Sequence, residues 1–425
     1  MKLELERQNF LKAWQIAERV AGTKTPKDSI SGILINATDT EITLEATDLK
    51  TSVKCKAVGA NVLEAGSAVV PAAILGSMLK KAADDLVLEV NSSRGVLHAG
   101  RNKMRFSVIP TEEFPKLPDS ESAEEICTLL AADLARTVME GTVAASQPQD
   151  FPRYMGTCLL KTEEGYLNVV STDGKRLAIS KVICENVANE KDLLLMSSAT
   201  KELGKTLATS YEEKYVKILA DDSTVWFKLD NVEFSIRKVD AAFPTYQRIL
   251  NKEVYTSLRV KTSDLINVLE RIDIIARTTP AHIMAMTLNP ENGEVRITAR
   301  SPEMGTVNEV LYSKVEQNYL HVGFNVAYFL DGLKAIASGE AVVEFSSDEG
   351  QSRMYRGDSE DFLYMLMPAR LSVQDRLTDE EIGDFVNNVE EPQPLPQQEP
   401  SSENLEQSNQ DEQGQEQEQN SDVPF

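Results

Sequence analysis

What the chain lacks narrows its function first. Its four cysteines, Cys55, Cys127, Cys158 and Cys184, form no Cys-x-x-Cys pair, and its three histidines, His98, His282 and His321, stand far apart. That pattern suggests neither a disulfide framework nor a metal site, reads the cysteines as buried thiols, and calls for no cofactor. No apolar run approaches the length of a membrane span, and Met1–Glu6 lacks the basic-then-apolar plan of a secretory signal. A cytoplasmic protein with no membrane partner is therefore expected. Basic residues are short as well: 44 Lys and Arg face 67 Asp and Glu, for a formal net charge of −23. Affinity for duplex DNA ordinarily comes from cations that displace counterions at the phosphates. Any role on DNA must then rest on how the charge is distributed.

The acid is unevenly placed. From Ser372 to Phe425, 15 acidic side chains face the single Arg376 among Gln, Asn, Ser and Pro, so this stretch carries −14 and leaves −9 on residues 1–371. It cannot bury enough apolar surface to offset its ordering entropy, which predicts a disordered acidic tail. The rest is long enough for about three domains at roughly 150 residues each, and the sequence repeats itself three times. An alternating run with a polar turn occurs at Glu41–Val53, Tyr166–Ser180 and Glu294–Leu311, with Asp48 and Asp173 in the same place 125 residues apart. An amphipathic helix follows at Ala72–Asp84, Ser197–Ser210 and Asn325–Ser338, with Met78, Leu203 and Leu330 on its core positions. Phe106-Ser and Phe114-Pro115 are echoed by Phe234-Ser and Phe243-Pro244, and the third copy closes in Phe362–Leu371. Each unit opens on a helix: Arg7–Val20, Ala131–Ala144 and Thr262–Arg277.

Alternating strands suit antiparallel sheets with one face on helices, so the expected fold is α+β, one domain repeated three times. The expected domains are 1–122, 123–252 and 253–371, with 372–425 as the tail. A helical wheel separates an apolar stripe of Phe10, Trp14, Ala17 and Ala21 from Gln8, Lys12, Gln15 and Arg19 on the first helix. Lys80, the pair Lys201 and Lys205, and Arg271 oppose the buried stripes of their own helices. For one helix this is an ordinary solvated face; its recurrence points to a shared, mildly basic surface.

Four motifs carry a family resemblance: Ser171-Thr-Asp-Gly-Lys-Arg-Leu177, Phe243-Pro-Thr-Tyr-Gln-Arg248, Val322-Gly-Phe-Asn-Val326 and Met367-Pro-Ala-Arg-Leu371. In order and spacing they resemble the signatures of the bacterial beta sliding clamp, the beta subunit of DNA polymerase III, over nearly all of residues 1–371. The resemblance implies a homodimer, two chains closed head to tail into a ring of six domains, with helices lining the hole and sheets forming the rim. Such a ring is a processivity factor. It holds double-stranded DNA by topology without reading its sequence, so a weakly attractive lining suffices.

Carried over residue by residue, the resemblance makes Lys24, Gln149, Arg153 and Tyr154 DNA-facing, with Lys201 and Lys205 on a lining helix. Ser197 and Ser198 stand where relatives often have a basic pair. A pocket for short Gln-x-x-Leu-Phe peptides of the clamp loader, the DNA polymerase and repair enzymes is implied at Thr172, Gly174, Lys175, Arg176, Leu177, Pro244, Arg248 and Ile249. Ser352, Met365, Met367, Pro368, Arg370 and Leu371 complete it. Met and Leu would accept the apolar anchors and Arg and Thr the polar atoms. Gly156 implies a widened subpocket. For the ring joint, Phe106 and Val108 would meet Ile274 and Ile275 of the other copy, with Arg101 and Arg105 facing Glu303 and Glu309; Phe106 reads equally as core, given its repeat partner Phe234.

The last five residues, Ser421 to Phe425, resemble the acidic tip of bacterial single-stranded DNA-binding proteins. Asp422, Val423, Pro424 and Phe425 would then recruit enzymes that bind that tip. Rival readings fare less well. Gly204-Lys205-Thr206 looks like the end of a phosphate loop, but Ala199 stands where that loop needs Gly, and Lys205 falls inside a helix, so no enzymatic activity is expected. A clamp-like paralogue acting only as a binding scaffold is the alternative.

Overall fold

A computed structural model of the chain describes residues 1–22, 28–82, 86–91, 93–147, 150, 152–250, 253–337 and 339–371. The expectations for Lys24, Gln149 and the tail, including Asp422, Val423, Pro424 and Phe425, lie outside those residues.

The helices are α1 (Arg7–Val20) and α2 (Ala72–Lys81) in the first repeat, and α3 (Ala131–Gly141) and α4 (Ser197–Ser210) in the second. A short α5 (Gln247–Leu250) precedes α6 (Thr262–Ala276) and α7 (Val326–Ile336) of the third. Their bounds follow local chemistry. The stripe of α1 puts Phe10, Trp14, Ala17 and Ala21 in the core and leaves Lys12, Gln15 and Arg19 exposed. The amide of Tyr328 is capped by the Asn325 side chain at 3.0 Å, and α7 stops at Ala337, whose φ of 56° is left-handed. Three helices end a few residues before their periodicity does, at Lys81, Gly141 and Ile336. In α2 the core positions are Leu75 and Leu79, and Met78 is only partly buried.

The strands form sheets of five, nine, nine and four members among the described residues. Neither nine-stranded sheet belongs to one repeat. The first joins the first and second repeats, and the other joins the second and third. Helices pack on the sheets, α1 on the strands Ile42–Thr47 and Thr51–Ala57, α3 on Tyr166–Thr172 and Arg176–Ile183, α6 on Glu294–Ser301 and Gly305–Tyr312. One continuous core runs through the first two repeats around Phe10, Trp14, Phe227 and Phe234, and another fills the third around Phe324, Phe329 and Tyr364. Fully burying one such side chain contributes about 1.5–3 kcal/mol. All four cysteines are buried thiols; burial pushes Cys55 up to about 12 and Cys158 to about 11, so both stay protonated and inert.

Candidate functional site

The chemistry of this chain gathers where one repeat meets the next. At the first joint the strand Thr51–Ala57 pairs antiparallel with Val232–Arg237, setting Val53 opposite Phe234 and Ser52 opposite Ser235. At the second joint Arg176–Ile183 pairs with Phe362–Leu366, setting Ala178 opposite Tyr364 and Leu177 opposite Met365. The two registers are the same once the repeats are aligned. Val53 and Ala178 hold one place, opposite Ala46 and Ser171 of the preceding strands, and Phe234 and Tyr364 hold another.

Two further strands occupy these places with no partner strand on one side among the described residues. Gly305–Tyr312 ends the four-stranded sheet, and its Val307, opposite Ala299, corresponds to Val53 and Ala178. Asn102–Ser107 ends the five-stranded sheet, and its Phe106, opposite Gly95, corresponds to Phe234 and Tyr364. Gly95 is required there, because a Cβ would stand 2.2 Å from the Phe106 ring. Phe106 and Val108 are partly buried against the first core, so the ring of Phe106 belongs to the core and to the open edge at once. Ile274 on α6, the helix that packs on the open strand Gly305–Tyr312, is 58% exposed and Ile74 on α2 is 57% exposed, while Ile275 packs against the third core. Ile74 was not among the expected edge residues, although the 3.6-residue period of α2 already set it off the buried stripe.

Of the charges expected at the edge, one already has a partner within the chain. Glu309 accepts two bonds from Arg271, each 2.7 Å, which lowers its carboxyl below the ordinary 4.5 against the opposing effect of burial. It shares the inward face of its strand with Val307 and Leu311, as alternation requires. Arg105 lies on the opposite face from Phe106, and Arg101, Arg105 and Glu303 are all exposed. Glu309 is therefore paired with Arg271 within the single chain.

The residues expected to receive a peptide lie at the second joint, where some gather at the surface and others turn away. Leu177 and Met365, each 3% exposed, form a small cluster with Leu159, Val170 and Leu194, and Phe243, Tyr246 and Leu250 pack on it. Ile249, Arg248, Lys175 and Met367 stay exposed around it, and the Met367 amide donates to the Lys175 carbonyl at 2.9 Å. Pro244 and Pro368 are half-buried, Arg370 is exposed, and Leu371 lies over Gly323. α5 is held by Gln351, whose amide donates to the Ile249 carbonyl at 2.5 Å, and by Arg353, which donates to that of Leu250 at 3.1 Å. Ser352 between them is fully buried and donates to the Leu366 carbonyl at 3.1 Å, so it lines no surface. Gly174, with φ of 83°, takes the left-handed place of the turn that Thr172 closes by bonding the Arg176 carbonyl at 2.7 Å. Beside it, 3.5 Å from where a Cβ would stand, is the Met155 methyl. Met155 is half-buried and precedes the buried Gly156.

Arg176 is the clearest departure. Strand alternation sends its side chain to the face opposite Leu177. There the guanidinium meets Asp173 at 2.9 Å, Asp331 of α7 at 2.6 Å and the Tyr364 hydroxyl at 3.3 Å, and lies 4.1 Å from the Tyr328 ring centre. A second network ties the same joint: the buried Glu140 of α3 accepts from Ser180 at 2.6 Å, from Arg136 at 3.2 Å and from Arg356, and Asp361 pairs with Arg356 at 2.6 Å and Arg136 at 2.9 Å. Sequence pattern did not reveal it, since Glu140 and Asp361 lie in different repeats.

On the helix side, Lys12 and Arg19 line a hollow of about 450 Å³ with Thr206, Thr209 and Tyr211, and Arg19 donates to Thr206 at 3.4 Å. Other expected lining cations have acid partners: Lys80 with Glu18 at 2.9 Å, Lys205 with Glu202 at 2.7 Å, and Arg271 as above. Such exposed pairs are worth about 0–1 kcal/mol, so a phosphate can compete for them. Burial, with Arg176 nearby, lowers the Lys201 ammonium, so Lys201 is turned partly inward. Arg153 is exposed, but the Tyr154 ring packs edge-on against Phe243 with centres 6.2 Å apart, beside the Leu177 cluster.

The chain is similar to proteins of one kind from residue 1 to residue 370. Residues 1–118, 128–245 and 247–370 match, in turn, the N-terminal, central and C-terminal domains of the DNA polymerase III beta subunit. It is 25% identical over 373 residues to the beta sliding clamp of Vibrio cholerae, covering 87% of this chain and all of that protein. The Staphylococcus aureus beta sliding clamp is 26% identical over 355 residues, covering 81% and 93%. Among solved structures, the beta subunit of Thermotoga maritima superposes with a TM-score of 0.80 at 26% identity, over 87% of this chain and all of that one. The Bacillus subtilis sliding clamp does so at 0.80 and 21% identity, over 88% and all of that chain, which speaks for the fold.

Proposed function

The chain belongs to the family of the DNA polymerase III beta subunit and is a DNA sliding clamp, and on that premise we propose that two copies close head to tail into a ring around duplex DNA. One observation carries the reading. Two of the three joints that a threefold repeat can make are formed within the chain in one register, and the strands of the third are left at opposite ends. Applied to the open edges, that register sets Phe106 of one copy opposite Val307 of the other, and Ser107 opposite Thr306. A head-to-tail contact of this kind ends in a closed ring only when its rotation fits, and two chains of three repeats then leave no free edge. Ile74 and Ile274, exposed in the single chain, would be covered at the joint.

The same reading accounts for the charge. A ring holds DNA by topology, so Lys12, Arg19 and a set of paired cations suffice as a lining over which the duplex slides, while a net acidic body resists sticking elsewhere. It needs no catalysis of its own and works in the cytoplasm, where the DNA is. Partner enzymes, among them a clamp loader, the polymerase and repair enzymes, dock by short peptides at the second joint, with apolar anchors reaching Leu177 and Met365 past Met367 and Ile249. The tail tip adds a second attachment for enzymes that recognise the end of the single-stranded DNA-binding protein: Phe425 fills an apolar pocket and its carboxylate meets an Arg or Lys. Deleting Val423–Phe425 should abolish that binding and leave ring and pocket intact; equal binding by full-length and shortened chains refutes the tail's role.

A further inference from the structure

The first joint carries the same turn as the second, with one change at its crest. Thr47 donates to the Thr51 carbonyl at 2.8 Å, and Asp48 accepts from the amides of Lys50 and Thr51 at 2.9 and 2.6 Å. In the second joint Thr172 donates to Arg176 at 2.7 Å, and Asp173 accepts from Lys175 and Arg176 at 2.9 and 3.0 Å. The crest residue is Gly174 in the second turn and Leu49, with φ of 73°, in the first. Left-handed backbone disfavours any residue with a Cβ, and this one also holds a large apolar side chain 49% exposed. Strain maintained at an exposed position is an observation that asks for a role.

Leu49 stands at a groove. The segment Phe114–Asp119, the counterpart of the Phe243 segment that packs on the second joint, crosses the paired strands of the first and leaves a hollow on either side, about 410 and 610 Å³. The larger is walled by Leu49, Pro115 and Leu117 and edged by Lys50, Lys116 and Arg237. None of these three cations has an ion pair with a described residue, whereas two acids of the smaller hollow are matched, Glu45 by Lys54 at 3.6 Å and Glu233 by Lys228 at 2.9 Å, and its third, Asp119, lines both hollows. Asp119, the one acid lining the larger hollow, accepts the Glu121 amide at 3.2 Å.

We propose that this groove is a second docking site, for an extended acidic peptide bearing one large apolar side chain. The apolar side chain lies on Leu49, Pro115 and Leu117, and flanking carboxylates meet Lys50, Lys116 and Arg237. A nucleic acid would meet the same cations but has no use for the Leu and Pro walls, and the acidic body repels a long polyanion. The inference rests on the peptide reading of the second joint for its analogy, and on the groove's own chemistry for its ligand.

The test uses the full chain and a fluorescein-labelled peptide, Asp-Glu-Leu-Phe-Asp-Glu, followed by anisotropy at low ionic strength and by hydrogen exchange. Lys50→Glu with Arg237→Glu should weaken binding about tenfold or more. Leu49→Gly, a residue that Gly174 shows this turn accepts, should weaken binding while the thermal midpoint holds or rises. Protection should fall on residues 47–54 and 115–119, and Met367→Ala should leave this peptide's affinity unchanged. Unchanged affinity after charge reversal, loss of all binding with Met367→Ala, or equal competition by oligothymidylate would each overturn the proposal. Failure of the second-joint reading is separable: there a Gln-x-x-Leu-Phe peptide would ignore Met367→Ala while the acidic peptide still responds to Lys50 and Arg237.

Discussion

Truncating Ile74 and Ile274 together to Ala should open the ring while leaving the chain folded. Both side chains are more than half exposed in the single chain, at 57% and 58%, so they contribute little to its stability. Full burial of an Ile is worth about 1.5–3 kcal/mol, and ring closure supplies the remaining half, about 1 kcal/mol for each side chain. A two-chain ring has two such joints and buries each residue twice, so four truncations weaken the dimer by about 4 kcal/mol, roughly a thousandfold in dissociation constant. Neighbouring sites deviate from additivity, so a shift of about two to four decades is the expected range. Sedimentation equilibrium over a dilution series measures it, with thermal unfolding at a concentration where both proteins are monomeric as the control. An unchanged dissociation constant with an unchanged fold refutes the placement of these residues at the joint.

The pocket predicts that Met367→Ala and Leu177→Ala each weaken a Gln-x-x-Leu-Phe peptide by about 2 kcal/mol, roughly thirtyfold; isothermal titration with intact circular dichroism checks it. Arg176→Ala strands Asp173 and Asp331 and should cost about 3 kcal/mol or more, with faster hydrogen exchange in Phe362–Leu366. Loss of peptide affinity with no change in that exchange would instead make Arg176 a pocket residue. Acid should loosen the second joint in a defined window. Burial raises the Asp361 carboxyl, but the Ser359 hydroxyl and the guanidiniums of Arg356 and Arg136 hold it below the ordinary 3.8. A folded-state pKa that is depressed contributes stability present in full above the unfolded value and lost as pH falls through the folded one. The urea midpoint should therefore lose this contribution only below the ordinary value of 3.8, and Asp361→Asn should lack that acid limb; a limb that survives the substitution contradicts the assignment.

Much of this was legible in the sequence, for physical reasons that also mark where legibility ends. Period and alternation found the helices within a few residues, because burial of Phe10, Trp14 and Leu203 writes the 3.6-residue stripe directly. The third repeat of the turn was recognised although Ser301 to Gly305 closes it differently from Thr172 to Leu177. Side-chain direction across a joint was not legible. Motif matching put Arg176 and Ser352 in the pocket, whereas the alternation of their strands turns both to the helix side, and Gln351 and Arg353 hold α5 instead. The neighbours of Tyr154 and Met155 were hidden for a similar reason: the segment Arg153–Gly156 is a tight helical turn that sets Tyr154 against Phe243 and the Met155 methyl beside Gly174. The pairing of Glu309 with Arg271 was hidden because it links residues 38 apart through strand and helix geometry that no local window contains.

The central claim is a closed ring in the register of the internal joints. Ser107→Cys and Thr306→Cys in one chain test it most directly, since residues opposite each other in an antiparallel pair stand about 5.5 Å apart at Cα, within disulfide reach. The variant, oxidised in the presence of relaxed circular duplex and filtered in high salt, should form a covalently closed dimer that travels with the circle. It should come free when one restriction cut linearises the DNA. Failure to cross-link with the fold intact, or retention that is the same on circular and linear DNA, would contradict it.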